Sequence, residues 1–399
     1  MSMKPTEFYE ELLGLEGLKI HSIEKMPGKI ILHCETENDS GTCPQCGEPT
    51  NVVNQYDSRQ VRDLDISGKE VWLHLRIRQF VCYPCKRYFN ESADWIMPGK
   101  SYTRRQAKWV FEMCAKQPFT EVGALLNMSH RTVERLYYEH AHRQINLSQR
   151  YANVRKIGID EIANRKGKND YVCVLTDLES GIQLDVLPDR KKETLRAHFQ
   201  SLGNAFCEQI EVVACDIWRT YINVAKECFP NAEVVIDRFH VVKALNEVLD
   251  NIRKSLRRQF KDEACFKHIK WKLFKRPEKC SDQELSQLQE AMEKSWILEE
   301  AYELRNTFNS MFDIAKDKGQ LIDQLDLWIA HASALGNKFL DKFLRTLQNW
   351  KSQIAAFAET GITNAATEGL NNYLRYFKRI SFGLSNFEHM RLRILLAAS

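Results

Sequence analysis

The pattern of apolar and polar positions changes near residue 103, and the two sides of that point predict different structures. Residues 1–99 alternate short apolar runs with turn signals, and 71–78 alternates apolar and polar side chains as a half-buried strand does. From Thr103 the period becomes helical, and Ser129 is a suitable N-cap for the last helix of this part. Three helices are predicted here, at 104–116, 120–126 and 131–141.

From Lys156 the pattern indicates strands and helices in alternation. Apolar runs predict strands at 157–160, 171–176, 182–187, 211–216 and 232–236, with helices at 192–202 and 221–228. Three consecutive strands followed by alternation with helices indicate a mixed sheet. From Val241 to about Glu359 the pattern is helical, with breaks near Pro277, Gly319 and Gly336. The stretch 364–396 is predicted helical apart from a turn near 381–383.

Composition places the chain among ordinary globular proteins. It has 399 residues, of which 44% are hydrophobic and 28% charged. No apolar run approaches the roughly 18–20 residues that a membrane span needs. The N-terminus has neither the basic start nor the apolar core of a secretory signal. We therefore expect a cytoplasmic protein.

Positive charge is concentrated locally, although the net charge is only +4. Residues 253–279 carry eleven Lys and Arg against three acids, and the chain after Asn371 carries five against the single acid Glu388. Such a surplus suits a phosphate backbone, and it equally suits a solvated helix face.

Four of the twelve cysteines form two close pairs, Cys43 with Cys46 and Cys82 with Cys85. In a cytosolic protein, paired CxxC motifs indicate metal ligands instead of disulfides. Four thiolates complete a tetrahedral Zn²⁺ site, which is structural because no position is left for substrate. His33 and Cys34 are nearby competitors and are left out of the predicted ligand set, although the 35-residue spacer between the pairs is long.

The three predicted helices fit a helix-turn-helix unit whose last helix lies in the major groove of DNA. Arginine can pair with guanine, and threonine can contact a phosphate or a thymine methyl group. Any small three-helix bundle gives the same pattern, so the motif is of moderate specificity. The predicted contact residues are His130, Arg131, Thr132 and Arg135.

Two acids follow predicted strands, Asp160 after 157–159 and Asp216 after 212–215. If these strands are neighbours, both carboxylates lie at one sheet edge, where oxygen ligands can hold Mg²⁺. Such acids are also common as turn or cap residues. Glu368 is the candidate for a third ligand, because it shares a helix face with two amides and two arginines, Asn371, Asn372, Arg375 and Arg379. Such a face could meet a metal and a DNA phosphate together, so Arg375 and Arg379 are also predicted DNA contacts, although it could equally be an ordinary solvated face.

Two other acids near the C-terminus are weaker candidates for the third ligand. Glu359 precedes Thr360 and Gly361, a predicted helix end, so its side chain is expected in solvent. Glu388 is expected in the first turn of a helix, where an acid interacts favourably with the helix dipole.

Taken together, these motifs resemble those of the DDE transposases of bacterial insertion sequences, specifically the ISL3 family. The resemblance covers nearly the whole chain. It rests on the cysteine pairs and the helix-turn-helix, and on motifs at 158–161, 215–218, 235–243, 363–372 and 378–383. The chain departs from the family pattern at Ala365, where a glycine is expected after Asn364.

The resemblance implies an RNase H-like fold and a catalytic triad of Asp160, Asp216 and Glu368 that holds two Mg²⁺ or Mn²⁺ ions. It also places Asp237 and His240 near the site, where Asp237 could instead cap the next helix and His240 could instead pack internally. The partners it implies are double-stranded DNA, as terminal inverted repeats and target, and further copies of the chain in a dimer or larger assembly. A bacterial, nucleoid-associated location follows from the same resemblance.

The predicted fold class is a multidomain α/β protein with five segments. The 151 residues between Asp216 and Glu368 exceed a compact RNase H-like fold, which indicates an inserted domain. The segments are a zinc-binding domain at 1–99, a helix-turn-helix domain at 100–150, the first part of an RNase H-like mixed-sheet core at 151–243, an all-α insertion at 244–360, and the C-terminal core helices at 361–399.

The expected reaction is metal-dependent DNA cleavage at the ends of an insertion sequence, followed by strand transfer into target DNA. Two alternatives remain at this stage. One is a metal-dependent nuclease of the same fold that hydrolyses DNA without strand transfer. The other is a DNA-binding regulator derived from a transposase, against which the intact acids argue.

Overall fold

The computed structural model describes residues 3–165, 170–261, 264–363 and 386–397. They fall into two compact units, the first ending at Ile145 and the second beginning at Asn146. No helix in these described ranges is long and apolar enough to cross a membrane.

The first unit contains a five-stranded mixed sheet, in the region where the sequence predicts short strands. Its strands run in the order β1-β2-β6-β5, with β7 beside β6, and only β2 and β6 are parallel. Val71, Leu73 and Leu75 of β6 are buried on one face, so the half-buried strand predicted at 71–78 is confirmed. The elements are α1 (Pro5–Leu13), β1 (Leu18–Met26), β2 (Lys29–Thr36), β3 (Gly41–Thr42), β4 (Pro49–Thr50), β5 (Val53–Ile66), β6 (Lys69–Cys82) and β7 (Arg87–Asn90).

Three helices complete this unit, α2 (Arg104–Cys114), α3 (Phe119–Leu125) and α4 (His130–Gln144). The Ser129 hydroxyl accepts the backbone N–H of Thr132, so the predicted N-cap is confirmed. A Cβ atom on Gly123 would lie 2.7 Å from the carbonyl oxygen of Met128. The turn between α3 and α4 is therefore close enough to require glycine.

The second unit is built on a five-stranded sheet in the order β10-β9-β8-β11-β12. Strands β8, β11 and β12 are parallel, whereas β9 pairs antiparallel with both β8 and β10, so the predicted mixed sheet is confirmed. Its elements are α5 (Leu147–Tyr151), β8 (Lys156–Arg165), β9 (Asp170–Asp177), β10 (Gln183–Leu187), α6 (Lys192–Ser201), α7 (Asn204–Gln209), β11 (Val212–Cys215), α8 (Arg219–Cys228) and β12 (Glu233–Ile236).

Helices dominate the rest of the unit, and the described part of 244–360 contains no strand, as predicted. Breaks occur at Pro277, before Lys318 and at Gly336, near the predicted positions. The predicted boundary between 243 and 244 lies inside one continuous helix, α9. These helices are α9 (Arg238–Gln259), α10 (Lys270–Leu273), α11 (Asp282–Glu293), α12 (Trp296–Ile314), α13 (Lys318–Ala334), α14 (Asp341–Ala355), α15 (Phe357–Thr360) and α16 (Phe387–Ala397).

The two faces of the second sheet bury different sets of side chains. One face, which includes Ile159 and Cys215, shares a single large core with α6, α8 and the helices from α9 onward. The opposite face carries two small clusters. In the first, β8–β10 pack against Met390 and Ile394 of α16. In the second, β11 and β12 pack against Ala356, with Ile362 beside it.

Candidate functional site

Three aspartates lie in one row where the parallel pairing of β8, β11 and β12 ends. Asp216 and Asp237 follow the ends of their strands, but β8 continues beside β9 to Arg165, so Asp160 lies inside its strand and not after it as the sequence indicated. Ile159, Cys215 and Ile236 are aligned across β8, β11 and β12. The next residue along each of these segments is Asp160, Asp216 or Asp237. Sequence reasoning expected the first two at one sheet edge, and the strand register places them on adjacent strands there.

Alternation along the strands places all three acids on the face opposite the large core. Side chains two residues apart on a strand share a face, and Val212, Ala214 and Val235 belong to the small cluster on the face away from that core. Asp216 and Asp237 follow at the same spacing. Asp160 lies two residues before Ile162, which belongs to the other small cluster of that face. The acid row therefore lies at the edge of the face that carries both small clusters.

The three carboxylates are substantially buried. Asp160 and Asp237 are 7% and 3% exposed. Asp160 accepts the backbone N–H of Glu161 at 2.7 Å. Asp237 is the N-cap of α9 and accepts the N–H of Phe239 at 3.1 Å. The capping alternative for Asp237 is thus confirmed, and the same residue also lies in the acid row.

His240, in the first turn of α9, lies between two of these acids. Its Nδ1 atom is 2.9 Å from Oδ1 of Asp216 and 3.5 Å from Oδ2 of Asp237. Burial alone would lower the pKa of His240, but the two carboxylates outweigh it and raise that pKa to about 10. The two carboxylates therefore favour the charged form of His240, which offsets part of the negative charge of the row.

Glu161, adjacent to Asp160, faces the large core instead. Both of its carboxylate oxygens lie 2.6 Å from Nη1 of Arg190, and the Tyr221 hydroxyl donates to it at 3.3 Å. Arg190 also stacks over the rings of Tyr171 and Trp218. The contacts of Glu161 with Arg190 and Tyr221 were not predicted, because nothing in the sequence links these residues.

The oxygen donors of the row suit a hard divalent cation, but the row is not a complete site. Among the described residues, the four thiols are the one group of three or more His, Cys, Asp or Glu side chains gathered closely enough to hold an ion. A cation bound at Asp160 and Asp216 would therefore need a further ligand.

Glu368, Arg375 and Arg379 lie outside the described residues, so the structure places none of them. The described residues on either side of this segment both contact the sheet. Ile362 packs in the cluster of β11 and β12, and Phe387 packs in the cluster of β8–β10. Both clusters lie on the face to which the acid row belongs.

The four predicted zinc ligands come together in the first unit. The Sγ atoms of Cys43, Cys46, Cys82 and Cys85 all lie within 4.8 Å of one another. The β3–β4 hairpin carries the first pair, and the turn from β6 to β7 carries the second. Both turns continue with a left-handed residue, Gly47 at φ 78° and Lys86 at φ 52°.

The thiols of this cluster are set up for a cation. Backbone N–H groups of Cys46 and Gln45 lower the pKa of the Cys43 thiol to about 6. Hydrogen bonding with Cys46 and, to a smaller extent, desolvation raise the pKa of the Cys85 thiol to about 12. Several thiolates cannot coexist here without a positive charge between them, which fits a structural Zn²⁺ ion.

The competing residue Cys34 lies in the sheet core and is 2% exposed. Burial raises the pKa of its thiol to about 12. It serves as a packing residue, which agrees with its exclusion from the ligand set.

Helix α4 presents most of the predicted DNA contacts to solvent. His130, Arg131 and Arg135 are exposed. Thr132 is partly buried, and its hydroxyl lies 2.9 Å from that of Ser129 at the helix start. The Thr132 hydroxyl is therefore engaged within the protein, which leaves the three other side chains as the accessible ones.

Three stretches of the chain match models of known families. Residues 157–394, more than half of the chain, match the DDE ISL3 model described as "Transposase". Residues 39–85 match the "zinc-finger of transposase IS204/IS1001/IS1096/IS1165". Residues 91–141 match the "Helix-turn-helix domain of transposase family ISL3".

Curated relatives match over nearly the full length. The chain is 25% identical to the transposase for insertion sequence element IS1001 of Bordetella parapertussis, over 99% of this chain and 98% of that protein. It is also 25% identical to the transposase for insertion sequence element IS1557 of Mycobacterium tuberculosis, over 96% of this chain and 93% of that protein.

Proposed function

Since the chain belongs to the ISL3 family of transposases, we propose that Asp160, Asp216 and Glu368 are the metal ligands with which it cuts and joins DNA. A transposase is a DNA-cleaving and DNA-transferring enzyme, and that broad activity follows from membership of the family. The identity of the metal-binding residues, the identity of the metal and the DNA ends on which the enzyme acts are proposals.

The observation that carries the proposal is the acid row. Asp160 and Asp216 follow register-paired residues on adjacent parallel strands, on the same face and at the level where the pairing of β8 with β11 ends. Among the described residues, the acids of this row are not gathered closely enough to hold an ion by themselves. The segment that contains Glu368 joins two stretches that pack on that same face, which favours Glu368 as the missing ligand over a more distant acid.

Mg²⁺ or Mn²⁺ is the cofactor proposed for these carboxylates. Two such ions, when bound, would polarise the phosphate and activate the attacking water or 3′-hydroxyl. The protein's own part is to position these carboxylates side by side on adjacent strands. His240 holds Asp216 from the side of α9, and Asp237 anchors the start of that helix.

The first unit is proposed to recognise the terminal inverted repeats. Arg131 and Arg135 on α4 are exposed and spaced by one helical turn, which suits base and phosphate contacts in a major groove. The zinc site holds the hairpin and the β6–β7 turn together. Because two ends must be joined, we propose that a dimer or a larger assembly acts on DNA.

A strand-transfer assay tests this proposal. Wild-type protein, a duplex carrying the terminal repeat and a supercoiled target plasmid are combined with Mg²⁺, and joined products are measured. Asp160→Asn is expected to lose cleavage and joining while keeping end binding. Asp177→Asn is the matched control, because Asp177 ends β9 at the opposite edge of the same sheet.

Joined products from the wild type and Asp177→Asn, with none from Asp160→Asn, support the proposal. Cleavage without any joining would favour the metal-dependent nuclease. End binding without cleavage in the wild type would favour the regulator.

A further inference from the structure

A groove beside α9 has no role in the functions considered so far. It encloses about 620 Å³ between one face of α9 and the segment around α10. Part of its lining, Lys254, Lys270, Trp271 and Phe274, belongs to the stretch 253–279, which carries eleven Lys and Arg against three acids. Its lining includes Phe239, Lys243, Asp250, Lys254, Lys270 and Trp271.

Two aromatic side chains of this groove are open to solvent. Trp271 is 69% exposed and Phe239 is 50% exposed. The Trp271 ring is held edge-on against Phe274, with centroids 5.7 Å apart, and Nζ of Lys270 lies 4.7 Å from its centre. An exposed aromatic ring held in place beside a cation is a surface on which a nucleic-acid base can stack.

The charge of the groove is positive. Asp250 is buried and accepts a hydrogen bond from Arg253, with Lys254 at 2.9 Å and Lys270 at 3.7 Å. One buried carboxylate thus holds three cations, two of which, Lys254 and Lys270, keep part of their side chains in solvent. Nearer the start of α9 than Asp250, the groove is lined by Lys243 and Glu247. Both are exposed, and their opposite charges cancel.

One end of the groove, at Phe239, is close in the chain to the acid row. Phe239 donates its backbone N–H to Asp237 and precedes His240, which pairs with Asp216. From Phe239 to Lys254 one face of α9 runs about 22 Å, at a rise of about 1.5 Å per residue. That length corresponds to about six nucleotides of a stacked strand at about 3.4 Å each.

We propose that this groove binds an unpaired stretch of the DNA strand next to the phosphate that is cut. A base stacks on Trp271, and Lys243, Lys254 and Lys270 contact the phosphates. The inference rests on the proposed function, because it takes the acid row as the place of cleavage. An unpaired strand fits better than a duplex, since the aromatic faces are accessible only to bases that have left the helical stack.

The experiment uses the full-length protein with no divalent metal added, so that no strand is cut. The probe is a duplex carrying the terminal repeat and an unpaired flank of about six nucleotides, with 2-aminopurine in the flank. A fully paired duplex of the same sequence is measured alongside. Binding and 2-aminopurine fluorescence are recorded for the wild type, Trp271→Ala, Trp271→Phe and the control Trp296→Ala. Trp296 is 62% exposed in the same helical region and does not line the groove.

The wild type is expected to quench the 2-aminopurine. Trp271→Ala is expected to lose that quenching and to bind the flanked duplex about tenfold more weakly, the order that one base–aromatic stack contributes. It should bind the fully paired duplex as the wild type does. Trp271→Phe should restore most of the quenching, and Trp296→Ala should change neither quantity.

Phosphate contact is tested by salt dependence. Lys243→Gln should reduce the slope of log affinity against log salt by about one for the flanked duplex. Lys342→Gln, an exposed lysine on α14, should leave the slope unchanged.

Equal quenching by the wild type and Trp271→Ala would overturn the inference, and so would an equal loss of affinity for flanked and fully paired DNA in Trp271→Ala. These outcomes are separate from a failure of the proposed function, which would show as a wild type that binds its ends and cuts neither substrate in Mg²⁺.

Discussion

His240 and Asp216 form an ion pair across the boundary between α9 and β11, with Nδ1 2.9 Å from Oδ1. The same imidazole reaches Asp237 at 3.5 Å. Asp160, Asp216 and Asp237 occupy one row and are largely buried, and such charges are costly unless they are paired. Without a bound cation, His240 supplies positive charge to this row.

His240→Gln should therefore destabilise the metal-free protein. We expect a loss of about 1–3 kcal/mol, because a buried carboxylate loses its charged partner. Added Mg²⁺ should raise the melting temperature of this variant more than that of the wild type, since the ion replaces the missing charge. Thermal unfolding with and without Mg²⁺ measures both effects.

The matched control is His331→Gln, an exposed histidine 3.7 Å from Glu300 on the neighbouring helix. It should melt as the wild type does. A melting temperature of His240→Gln equal to that of the wild type in the absence of metal would contradict the role given to His240.

The Asp185–Arg391 pair should be needed to hold α16 on the sheet. Nε and Nη2 of Arg391 lie 2.6 Å and 3.0 Å from the two oxygens of Asp185, whose side chain is 5% exposed. Arg391→Met leaves that carboxylate buried without its main partner, which should cost about 3 kcal/mol. The double variant Asp185→Leu, Arg391→Met should recover most of this loss, because it removes both charges. Urea unfolding measures the difference.

Arg345→Met, a change of an exposed arginine on α14, should leave the unfolding midpoint unchanged and serves as the control. If Arg391→Met unfolds at the same urea concentration as the wild type, the pair does not anchor α16.

Zinc should be bound at one ion per chain by the four clustered thiols. Cys46→Ser removes one ligand, so it should lose the ion, unfold the zinc module and weaken end binding, while the unit that begins at Asn146 keeps its own melting transition. Metal analysis together with calorimetry tests this. Cys34→Ser, outside the cluster, should keep the zinc. Natively purified wild type without zinc would show the assignment to be wrong.

Arg131 should contribute base recognition from α4. If it reads a base, Arg131→Ala loses about 1–3 kcal/mol of specific binding to the terminal repeat and little affinity for random DNA. Competition binding with both DNAs measures the ratio. An equal loss on cognate and random DNA would instead make Arg131 a phosphate contact.

Much of the fold was predictable because its signals are local. The strand at 71–78, the N-cap Ser129 and the breaks near Pro277 and Gly336 depend on side-chain alternation, capping and backbone restriction within a few residues. The two cysteine pairs were predictable for a similar reason, since each CxxC turn is a short motif with its own ligand chemistry.

The acid row was predictable only in part. An apolar run followed by an acid can be recognised at Asp160 and Asp216, but their alignment depends on which strands are neighbours, a long-range property of the sheet. The pairing of His240 with Asp216, and that of Glu161 with Arg190, arises from tertiary packing between segments far apart in sequence. Trp271 and Phe239 are ordinary apolar residues in the sequence pattern, and only their exposure reveals the groove.

The most direct test of the account is cleavage of terminal-repeat DNA by Glu368→Gln, in Mg²⁺ and in Mn²⁺, compared with Glu359→Gln and Glu388→Gln. Loss of a catalytic metal ligand should slow cleavage about 10³-fold or more, so we expect Glu368→Gln to be inactive in both metals while it binds the ends as the wild type does. Glu359→Gln and Glu388→Gln should keep most activity, because the first residue lies near the end of α15 and the second in the first turn of α16. Cleavage by Glu368→Gln within about tenfold of wild type, a loss of only about 1.4 kcal/mol, would contradict the triad and make Asp237 the next candidate for the third ligand.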